Sequence, residues 1–458
     1  DAAGTVVWPQ DRGCVLVLVR QVEPVSRPLP TVLPGPRAAF AMGPDEATRR
    51  HLNAWWAEYG DLFVVPSVAG ELPHWVVNDP ALVSELLVSR GYSFSKGLGL
   101  DRVKILLGNG IMVSEGDFWD RQRRMIQPAF KPRRLTDFNA MIFGENMTLA
   151  QRWARAAADG QTINAELDTS ELTLVIVLKA VFGADYARLV SGGDNPFALL
   201  TQVPERDLRF AARFHRLRKL VDGVIEQRLA GNQMAGFDFL AHLMTARSRE
   251  GEAMARGEII DEVMTLIVAG HETTASTLAF AWYLIAEHPQ ICRRMQAEAD
   301  ALDEGALRET GGAQRQALAC TDRVVAEALR LYPSGWLLSR RALQDLMVGG
   351  QPMAAGTQVF FCPWLLHHHP DYWRAPERFD PDRFTRTDEP RHRLAYLPFA
   401  AGPRRCVGEH LAATEMRVHL ATMLRRFTPT WVGDGEPAIE AAINLRPADG
   451  IYLQLAVR

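Results

Sequence analysis

The stretch that most constrains the fold is EVMTLIVAGHETTASTLAFAWYLIAEHP at residues 262–289. Its periodicity is helical and apolar side chains occupy nearly every face, so this helix lies either at the centre of a protein or across a membrane. The HETT sequence in its middle argues against a membrane, because a charge at the centre of a bilayer costs a few kcal/mol. We therefore predict a buried central helix. Gly270 within it costs about 1 kcal/mol relative to alanine, so a close approach or a local opening must compensate there.

The remaining pattern predicts a large helical lobe and a small β lobe. Helical periodicity dominates from roughly 80 to 333, with breaks at Pro and Gly. Residues 1–36 are Pro-rich and are expected to form an extended leader, which leaves 37–458 as a single domain. Strand-like segments lie at roughly 60–79, 340–364 and 440–458.

Composition excludes several classes of protein. The 51 basic and 54 acidic residues give a net charge of −3, so no global field favours nucleic acid. Five cysteines are scattered without a C-x-x-C pair, which argues against a disulfide framework or a zinc ribbon and favours a reducing, cytoplasmic setting. The apolar run at 14–19 is far shorter than the roughly 20 residues that a bilayer span needs, so no transmembrane segment is expected.

Several short motifs have an ordinary structural explanation when each is taken alone. HETTA at 271–275 begins like the zinc-protease pattern H-E-x-x-H, but its fifth residue is Ala, and the missing second His excludes that zinc site. Glu327 and Arg330 in EALR are spaced for a surface ion pair on one helix. Trp119 and Arg123 in WDRQR share one face of an amphipathic helix.

The most specific motif is FAAGPRRCVG at residues 399–408. It matches F-x-x-G-x-R-x-C-x-G at every fixed position, which is the haem-thiolate loop of the cytochrome P450 family, and the chain resembles that family over nearly its whole length. AGHETT then resembles the family's A-G-x-[DE]-T-T helix, EALR its E-x-x-R, and WDRQR its W-x-x-x-R. The resemblance implies a bacterial type of chain, a mainly α fold with a small β subdomain, and haem b bound between the central helix and the helix after the Cys loop.

This resemblance implies a set of cofactor contacts around the Cys loop. Cys406 is expected to be the axial ligand of the haem iron, where a thiolate favours O–O cleavage. Phe399 is expected beside the sulfur, and Gly402 and Gly408 are expected to let the backbone run close under the porphyrin. The residues expected to hold the haem propionates are Arg404, Trp119, Arg123 and Arg340, with Arg341 as the alternative to Arg340.

The central helix is expected to supply the other side of the site. By resemblance, Ala269 and Gly270 leave a notch where oxygen binds. Glu272 and Thr273 supply an acid and a hydroxyl, the pair needed to deliver protons, and this pair favours a route that uses O₂ and a reductant over one that uses peroxide. The alternative for Thr273 is a hydrogen bond to a carbonyl one turn back.

A structural triad is also implied, and two arginines compete for its third place. The family frame W-x-x-P-x-x-F-x-P-x-R-F aligns with WRAPERFDPDRF at 373–384. The arginine that joins Glu327 and Arg330 is then Arg383, although Arg378 lies in a literal PERF sequence.

Electrons derived from NAD(P)H are expected to arrive through a separate protein, because the sequence contains no flavin or iron–sulfur domain. WDRQRRMIQPAFKPRR at 119–134 carries six basic residues and one acidic residue, and the family places this region on the cysteine side of the haem. An acidic ferredoxin or flavodoxin is expected to dock there, with Arg121, Arg124 and Arg133 as contributing charges. The alternative is a solvated basic face.

The substrate is the least constrained part of the prediction. Residues 91–111 and 334–339 correspond to family segments over the distal pocket, and an apolar pocket indicates a lipophilic substrate of the fatty-acid or terpenoid type. We expect a haem-thiolate monooxygenase. The alternatives are a haem-thiolate peroxygenase or isomerase and a non-enzymatic haem sensor. The residues expected to line the pocket are Leu98, Leu100, Trp336 and Leu337.

Overall fold

The chain folds into two compact units, each assembled from separate segments. The first unit comprises Asp1–Gly99, Leu318–Glu409 and Ala438–Ala448, and the second comprises Leu100–Ala317, His410–Pro437 and Asp449–Arg458. The predicted leader lies outside the described residues except at 33–36, and so does its apolar run. The structure is a computed structural model that describes residues 33–68, 70–191, 197, 208–231, 237–308, 316–390 and 392–458.

One sheet organises the first unit and contains Leu62–Val65 (β1), His74–Val77 (β2), Phe94–Lys96 (β3), Leu338–Ala342 (β5) and Gln358–Phe361 (β8). Its strand order is β1-β2-β8-β5-β3. β1 and β2 form the antiparallel hairpin that the sequence predicts, and β2 runs parallel to β8. Every residue of β2 and β8 is buried, because these two strands lie inside the sheet with the apolar core on their faces.

Local sequence explains where the first helix of this unit begins and ends. The helix α1, Glu46–Tyr59, starts after Asp45, whose carboxylate accepts a hydrogen bond from the Thr48 N–H at 2.8 Å. It ends at Gly60, whose φ of 81° favours glycine. The other helices of the unit are α2 (Pro80–Ser84), α13 (Ala319–Leu331) and α14 (Pro363–His367), and its remaining strands are β6 (Leu346–Val348), β7 (Gln351–Met353), β10 (Ile439–Ala441) and β11 (Leu445–Pro447).

The second unit is built around the predicted central helix α10, Arg256–Glu287. This helix packs along α6, Ala165–Phe182. Most residues of α10 are buried. A Cβ atom at Gly270 would lie 2.8 Å from the Val177 Cγ2 atom, so glycine allows the two helices to approach closely at this point. That close approach compensates for the low helical propensity of Gly270.

The other elements of the second unit surround this helix pair. A sheet in the order β4-β12-β9 contains Ile163–Asn164 (β4), Phe427–Trp431 (β9) and Tyr452–Val457 (β12). Within the described part of the chain, no helix has the length and hydropathy to cross a membrane. The other helices are α3 (Leu100–Leu107), α4 (Gly116–Ile126), α5 (Pro132–Ala158), α7 (Asp185–Val190), α8 (Leu208–Gly231), α9 (Phe239–Thr245), α11 (Pro289–Asp300), α12 (Glu304–Arg308) and α15 (Glu409–Leu424).

Candidate active site

The Cys loop of the first unit is a tightly folded turn that exposes one thiol. The Cys406 N–H donates to the Phe399 carbonyl at 2.9 Å, which closes the loop across its base. Ala400 and Gly402 both lie in the left-handed region, with φ of 56° and 71°. The Cys406 thiol at the end of this turn is exposed, whereas the other described cysteines are buried. The loop therefore presents a single exposed sulfur on a constrained backbone.

The loop rests on a segment that the sequence motif does not include. A Cβ atom at Gly402 would lie 1.7 Å from the Leu87 carbonyl oxygen, and one at Gly91 would lie 2.6 Å from the Pro403 Cδ atom. Leu87 belongs to a π-helical turn at Glu85–Ser89 that continues α2. Gly402 therefore lies against the Leu87 backbone, and its predicted approach to a porphyrin stays a prediction. Nothing in the sequence motif indicated Leu87 or Gly91.

Two pairs of adjacent arginines are distinguished by their surroundings. Arg405 makes two hydrogen bonds to the Glu409 carboxylate, at 2.7 and 2.6 Å, which commits its guanidinium to the start of α15. Arg404 is half-buried in the loop itself. On β5, Arg340 is buried and donates to the Ser339 carbonyl at 2.8 Å, while Arg341 is exposed. Successive residues of a strand face opposite sides, so only one of this pair can point into the unit.

Glu327, Arg330 and Arg383 are brought together at the centre of the first unit. Arg330 donates two hydrogen bonds to the Glu327 carboxylate, at 2.8 and 2.9 Å, and Arg383 donates a third at 2.9 Å. All three side chains are buried. Arg378 is exposed and contributes only its carbonyl oxygen, which accepts from Arg330 at 3.2 Å and from Arg383 at 3.0 Å.

A second buried carboxylate completes this cluster. Glu389 pairs with the Arg383 guanidinium and accepts the Arg374 N–H at 2.8 Å. It also pairs with Arg386 at 3.0 Å. Two buried arginines thus face two buried carboxylates, which balances their charge. The sequence frame did not include Glu389, and no spacing in the sequence indicated it.

The three histidines at 367–369 serve the packing of the first unit. The His367 Nε2 atom accepts the Leu397 N–H at 2.8 Å, and its Nδ1 atom lies 3.1 Å from the Arg330 carbonyl. Burial holds the pKa of His367 well below its ordinary value, so this ring is neutral. His369 faces Asp61 at 3.0 Å. Among the described residues, no cluster of three His, Cys, Asp or Glu side chains is arranged to hold a metal ion.

The central helix carries the predicted proton-delivery pair on an accessible face. Thr273 is partly exposed and donates to the Ala269 carbonyl at 3.1 Å, while Glu272 is exposed. Two hydroxyls on α6 donate to the same stretch of helix: Thr173 to the His271 carbonyl at 3.2 Å and Thr169 to the Ala275 carbonyl at 3.3 Å. These bonds fix the helix on both sides of Thr273. The donation to Ala269 is the alternative that sequence reasoning left open for this hydroxyl.

The predicted contacts on α4 also belong to the second unit. Trp119 is buried, and the Arg123 Nε–H donates to Gln127 at 3.3 Å. Arg121 pairs with Glu258, and Arg124 pairs with Asp120. Two of the three charges predicted for partner docking are therefore already neutralised within the unit.

The four residues predicted to line a pocket have different environments. Leu98, Leu100 and Leu337 are half-buried. Trp336 has no exposed surface, and its indole N–H donates to the Ala442 carbonyl at 2.8 Å. Trp336 is thus buried within the first unit, where its indole N–H is satisfied by a carbonyl of the same unit, and its place in a substrate pocket stays a prediction.

Comparison with known proteins agrees with this architecture. The cytochrome P450 family model matches residues 28–453. Cyclooctat-9-en-7-ol 5-monooxygenase of Streptomyces melanosporofaciens is 34% identical over 389 residues, which cover 81% of this chain and 82% of that protein. Pentalenene oxygenase of Streptomyces avermitilis is 28% identical over 426 residues, which cover 89% and 93%. The crystal structure of the cytochrome P450DA heme domain superimposes with a TM-score of 0.77 at 29% identity, covering 87% and 89%.

The chain belongs to the cytochrome P450 family, and it is a cytochrome P450 monooxygenase. The family implies a haem group and electrons from a redox partner. The first unit has donors of the right chemistry for that group, since a constrained, exposed thiol is a suitable ligand for haem iron and the adjacent Arg404 guanidinium suits a propionate.

Proposed function

We propose that this protein inserts one oxygen atom from O₂ into a lipophilic, terpenoid-like molecule, using electrons from a separate ferredoxin or flavodoxin. The observation that carries the substrate class is the 34% identity to a monooxygenase named for cyclooctat-9-en-7-ol. Pentalenene oxygenase, at 28% identity over 89% of the chain, supports the same class. A fatty-acid-like substrate is the other member of the class that the apolar sequence pattern indicates.

Cys406 and a set of cationic or indole donors would hold the haem. When bound, the haem supplies the oxidising chemistry, which a thiolate ligand promotes. Cys406 would bind its iron. The haem carboxylates would be held by Arg404, Arg340, Trp119 and Arg123. The guanidinium groups bind carboxylates through paired hydrogen bonds, and the Trp119 indole N–H is a single donor.

Thr273 and Glu272 would deliver protons for the reaction. The Thr273 hydroxyl donates to the Ala269 carbonyl, but its oxygen retains lone pairs that can accept a hydrogen bond from a water. Glu272, which precedes Thr273 in the sequence, is exposed, so its carboxylate is in contact with solvent. The pair would therefore carry a proton from solvent to the Thr273 Oγ1 atom and onward to the reacting oxygen.

The redox partner would bind the basic region at 119–134, but through fewer charges than the sequence indicates. Arg121 and Arg124 already have acidic partners. Lys131 and Arg133 are exposed at the start of α5. An acidic protein docking here would be attracted chiefly by these two charges and by Arg134, which is also exposed.

Oxygen labelling tests this function directly. The purified holoenzyme is supplied with a surrogate ferredoxin, its reductase, NADPH and a panel of terpenes and fatty acids under ¹⁸O₂. We expect one ¹⁸O atom in the product of a terpene substrate, with consumption of NADPH. A product without ¹⁸O, or one formed only when peroxide is added, would contradict the proposal in favour of an isomerase or a peroxygenase.

A further inference from the structure

Two segments of the first unit interlock through a pair of glycines. One is the Cys loop, and the other consists of residues 85–91, called here the supporting turn. Gly402 of the loop lies against the Leu87 backbone, where a Cβ atom would be 2.7 Å from the carbonyl carbon. Gly91 of the supporting turn lies against Pro403, where a Cβ atom would be 2.6 Å from the Cδ atom. Each segment therefore presents a glycine to the other.

The supporting turn is a stiff base for this contact. It continues α2, and the Arg90 N–H donates to the Glu85 carbonyl at 2.8 Å, which is the i to i−5 bond of a π-helical turn. The Arg90 guanidinium pairs with the Glu85 carboxylate at 3.1 Å and donates to the Met347 carbonyl at 3.1 Å. Leu86 and Leu87 are buried in the apolar core. The supporting turn is thus fixed both to itself and to the body of the first unit.

The hydrogen bonds of the Cys loop carry a displacement at Pro403 to the residue that bears the sulfur. The Arg405 N–H donates to the Gly402 carbonyl at 3.1 Å, and the Cys406 N–H donates to the Phe399 carbonyl at 2.9 Å. Pro403 lies inside the turn that these two bonds close. A shift of Pro403 must therefore move Cys406 or break one of the bonds.

The conformation of the Cys loop also depends on support from outside the loop. Ala400 has a φ of 56°, a left-handed conformation that a residue with a Cβ atom keeps only where the surrounding structure holds it. Ala401, the next residue, packs against the core cluster that contains Leu86 and Leu87. The strained part of the loop is therefore anchored on the same core as the supporting turn.

Gly91 is the position where this support can be changed without a change of backbone conformation. Its φ lies outside the left-handed region, so an alanine fits the backbone, and the Pro403 ring is the obstacle. The Cδ atom of a proline is bonded to its backbone nitrogen, so it cannot swing aside as a flexible side chain would. A Cβ atom at Gly91 must therefore displace the Cys loop or the supporting turn.

We propose that Gly91 is a positioning residue for the iron ligand: by leaving room for the Pro403 ring, it lets the supporting turn hold Cys406 so that its sulfur binds haem iron as a thiolate. The proposal rests on the proposed function only in taking Cys406 as the iron ligand. Loss of this support should weaken thiolate ligation in a protein that is still folded.

The first test compares Gly91→Ala with two control variants of the holoenzyme. Val76→Ala, in the buried strand β2, lowers the stability of the same unit by leaving a cavity. Gly144→Ala on α5 adds a Cβ atom that meets nothing within 4 Å. Both controls should keep the Soret band of thiolate ligation in the reduced carbon monoxide complex and the wild-type reduction potential of the haem.

In Gly91→Ala we expect part of this band to be replaced by the blue-shifted band of a neutral sulfur ligand. The reduction potential should shift upward, because an anionic sulfur donates electron density that stabilises the oxidised iron. Deuterium uptake at the Cys406 amide should rise roughly ten-fold or more, on the scale expected for an overpacked contact.

The second test removes the obstacle from the other side of the contact. Pro403→Ala deletes the Cγ and Cδ atoms that the new Cβ atom meets, and the Pro403 nitrogen lies at 3.9 Å, an ordinary contact distance. The double variant Gly91→Ala/Pro403→Ala should therefore regain the wild-type band, potential and amide exchange. Pro403→Ala alone should stay near wild type, because the Gly402 contact and the Cys406 N–H bond remain.

Three results would overturn the proposal. A wild-type band, potential and Cys406 exchange in Gly91→Ala would show that Gly91 does not position the ligand. Equal changes in Val76→Ala would show a general loss of stability. A double variant without recovery would show that the effect does not pass through Pro403, and this variant also decides the outcome if Gly91→Ala fails to bind haem.

None of these measurements depends on turnover. A failure of the proposed monooxygenase function is therefore recognised separately, as absent ¹⁸O in the product. An error in the ligand itself is recognised as a thiolate band that persists in Cys406→Ser.

Discussion

Arg383 and Glu327 form a buried ion pair in which the arginine Nε–H donates to the Oε1 atom at 2.9 Å. The same carboxylate oxygen accepts from Arg330 at 2.9 Å and from the Asp380 N–H at 2.9 Å. Glu327 is thus the common acceptor for three parts of the first unit. Removal of one arginine would leave its carboxylate charge without full compensation in the interior.

Arg383→Ala should therefore destabilise the protein severely, while Arg378→Ala should be mild. The first change leaves part of the negative charge of Glu327 and Glu389 without a cationic partner in the interior, at a cost of about 3 to 5 kcal/mol. The second leaves the Arg378 carbonyl in place, and only that carbonyl contributes to the cluster. Haem content and the midpoint of urea unfolding measure the difference. Similar values for both variants would show that the Glu327 cluster does not carry this stability.

Cys406→Ser should abolish thiolate ligation. Cys406 is the exposed cysteine of the described chain, and the constrained loop offers no other sulfur. The reduced carbon monoxide complex of the wild type should show the strongly red-shifted Soret band of a thiolate ligand, and the variant should lack it. Cys320→Ser, at a buried thiol, is the matched control and should keep the band. Persistence of the band in Cys406→Ser would assign the ligand to another residue.

Thr273→Ala should uncouple electron use from product formation. The change removes one hydroxyl whose hydrogen bond is to the Ala269 carbonyl, so the fold and the haem spectrum should barely change. NADPH should still be consumed, but the product per NADPH should fall and hydrogen peroxide should rise. Thr273→Ser keeps the hydroxyl and should stay close to wild type. If the alanine variant forms as much product per NADPH as wild type, Thr273 serves only the helical hydrogen bond to Ala269.

Charge reversal should separate the free from the paired cations of the basic region. Lys131→Glu combined with Arg133→Glu should slow reduction by an acidic ferredoxin and weaken its dependence on salt, because both side chains are exposed. Arg124→Glu should have a smaller effect, since Arg124 is paired with Asp120. Stopped-flow reduction at increasing ionic strength provides the measurement. Equal effects in the two variants would argue against selective docking at the start of α5.

Raising the pH should loosen the contact between α10 and residues 108–111, where the Ile111 N–H donates to the Glu262 Oε2 atom at 2.9 Å. The pKa of the buried Glu262 lies at about 8, above its ordinary value of 4.5, so the closed state holds a proton that an open, solvated Glu262 would release. The stabilisation of the closed state is complete below about pH 4.5 and declines as pH rises towards 8. Ile111 exchange, corrected for its intrinsic pH dependence, should increase over this range in wild type and stay flat in Glu262→Gln. A flat profile in wild type would contradict the assignment.

The sequence alone determined the chemistry of the site and the course of its central helix. The Cys406 loop, the Glu327–Arg330 spacing and the apolar pattern around Thr273 are local, so they can be read from neighbouring residues. The frame at 373–384 also selected Arg383, the arginine that the structure places against Glu327.

Only the tertiary structure decided which distant residues complete these local features. Two contacts show this: the Leu87 carbonyl lies against Gly402, and the Asp261 and Glu262 side chains accept from the Asn109 and Ile111 amides. The partners in each contact come from parts of the chain that have no sequence periodicity in common. Glu389 lies near Arg383 in sequence, but nothing in an irregular loop indicates that its carboxylate turns inward. Such contacts follow from how the elements pack, because every buried charge and amide needs a partner. The partner is whichever group the fold brings within hydrogen-bond distance.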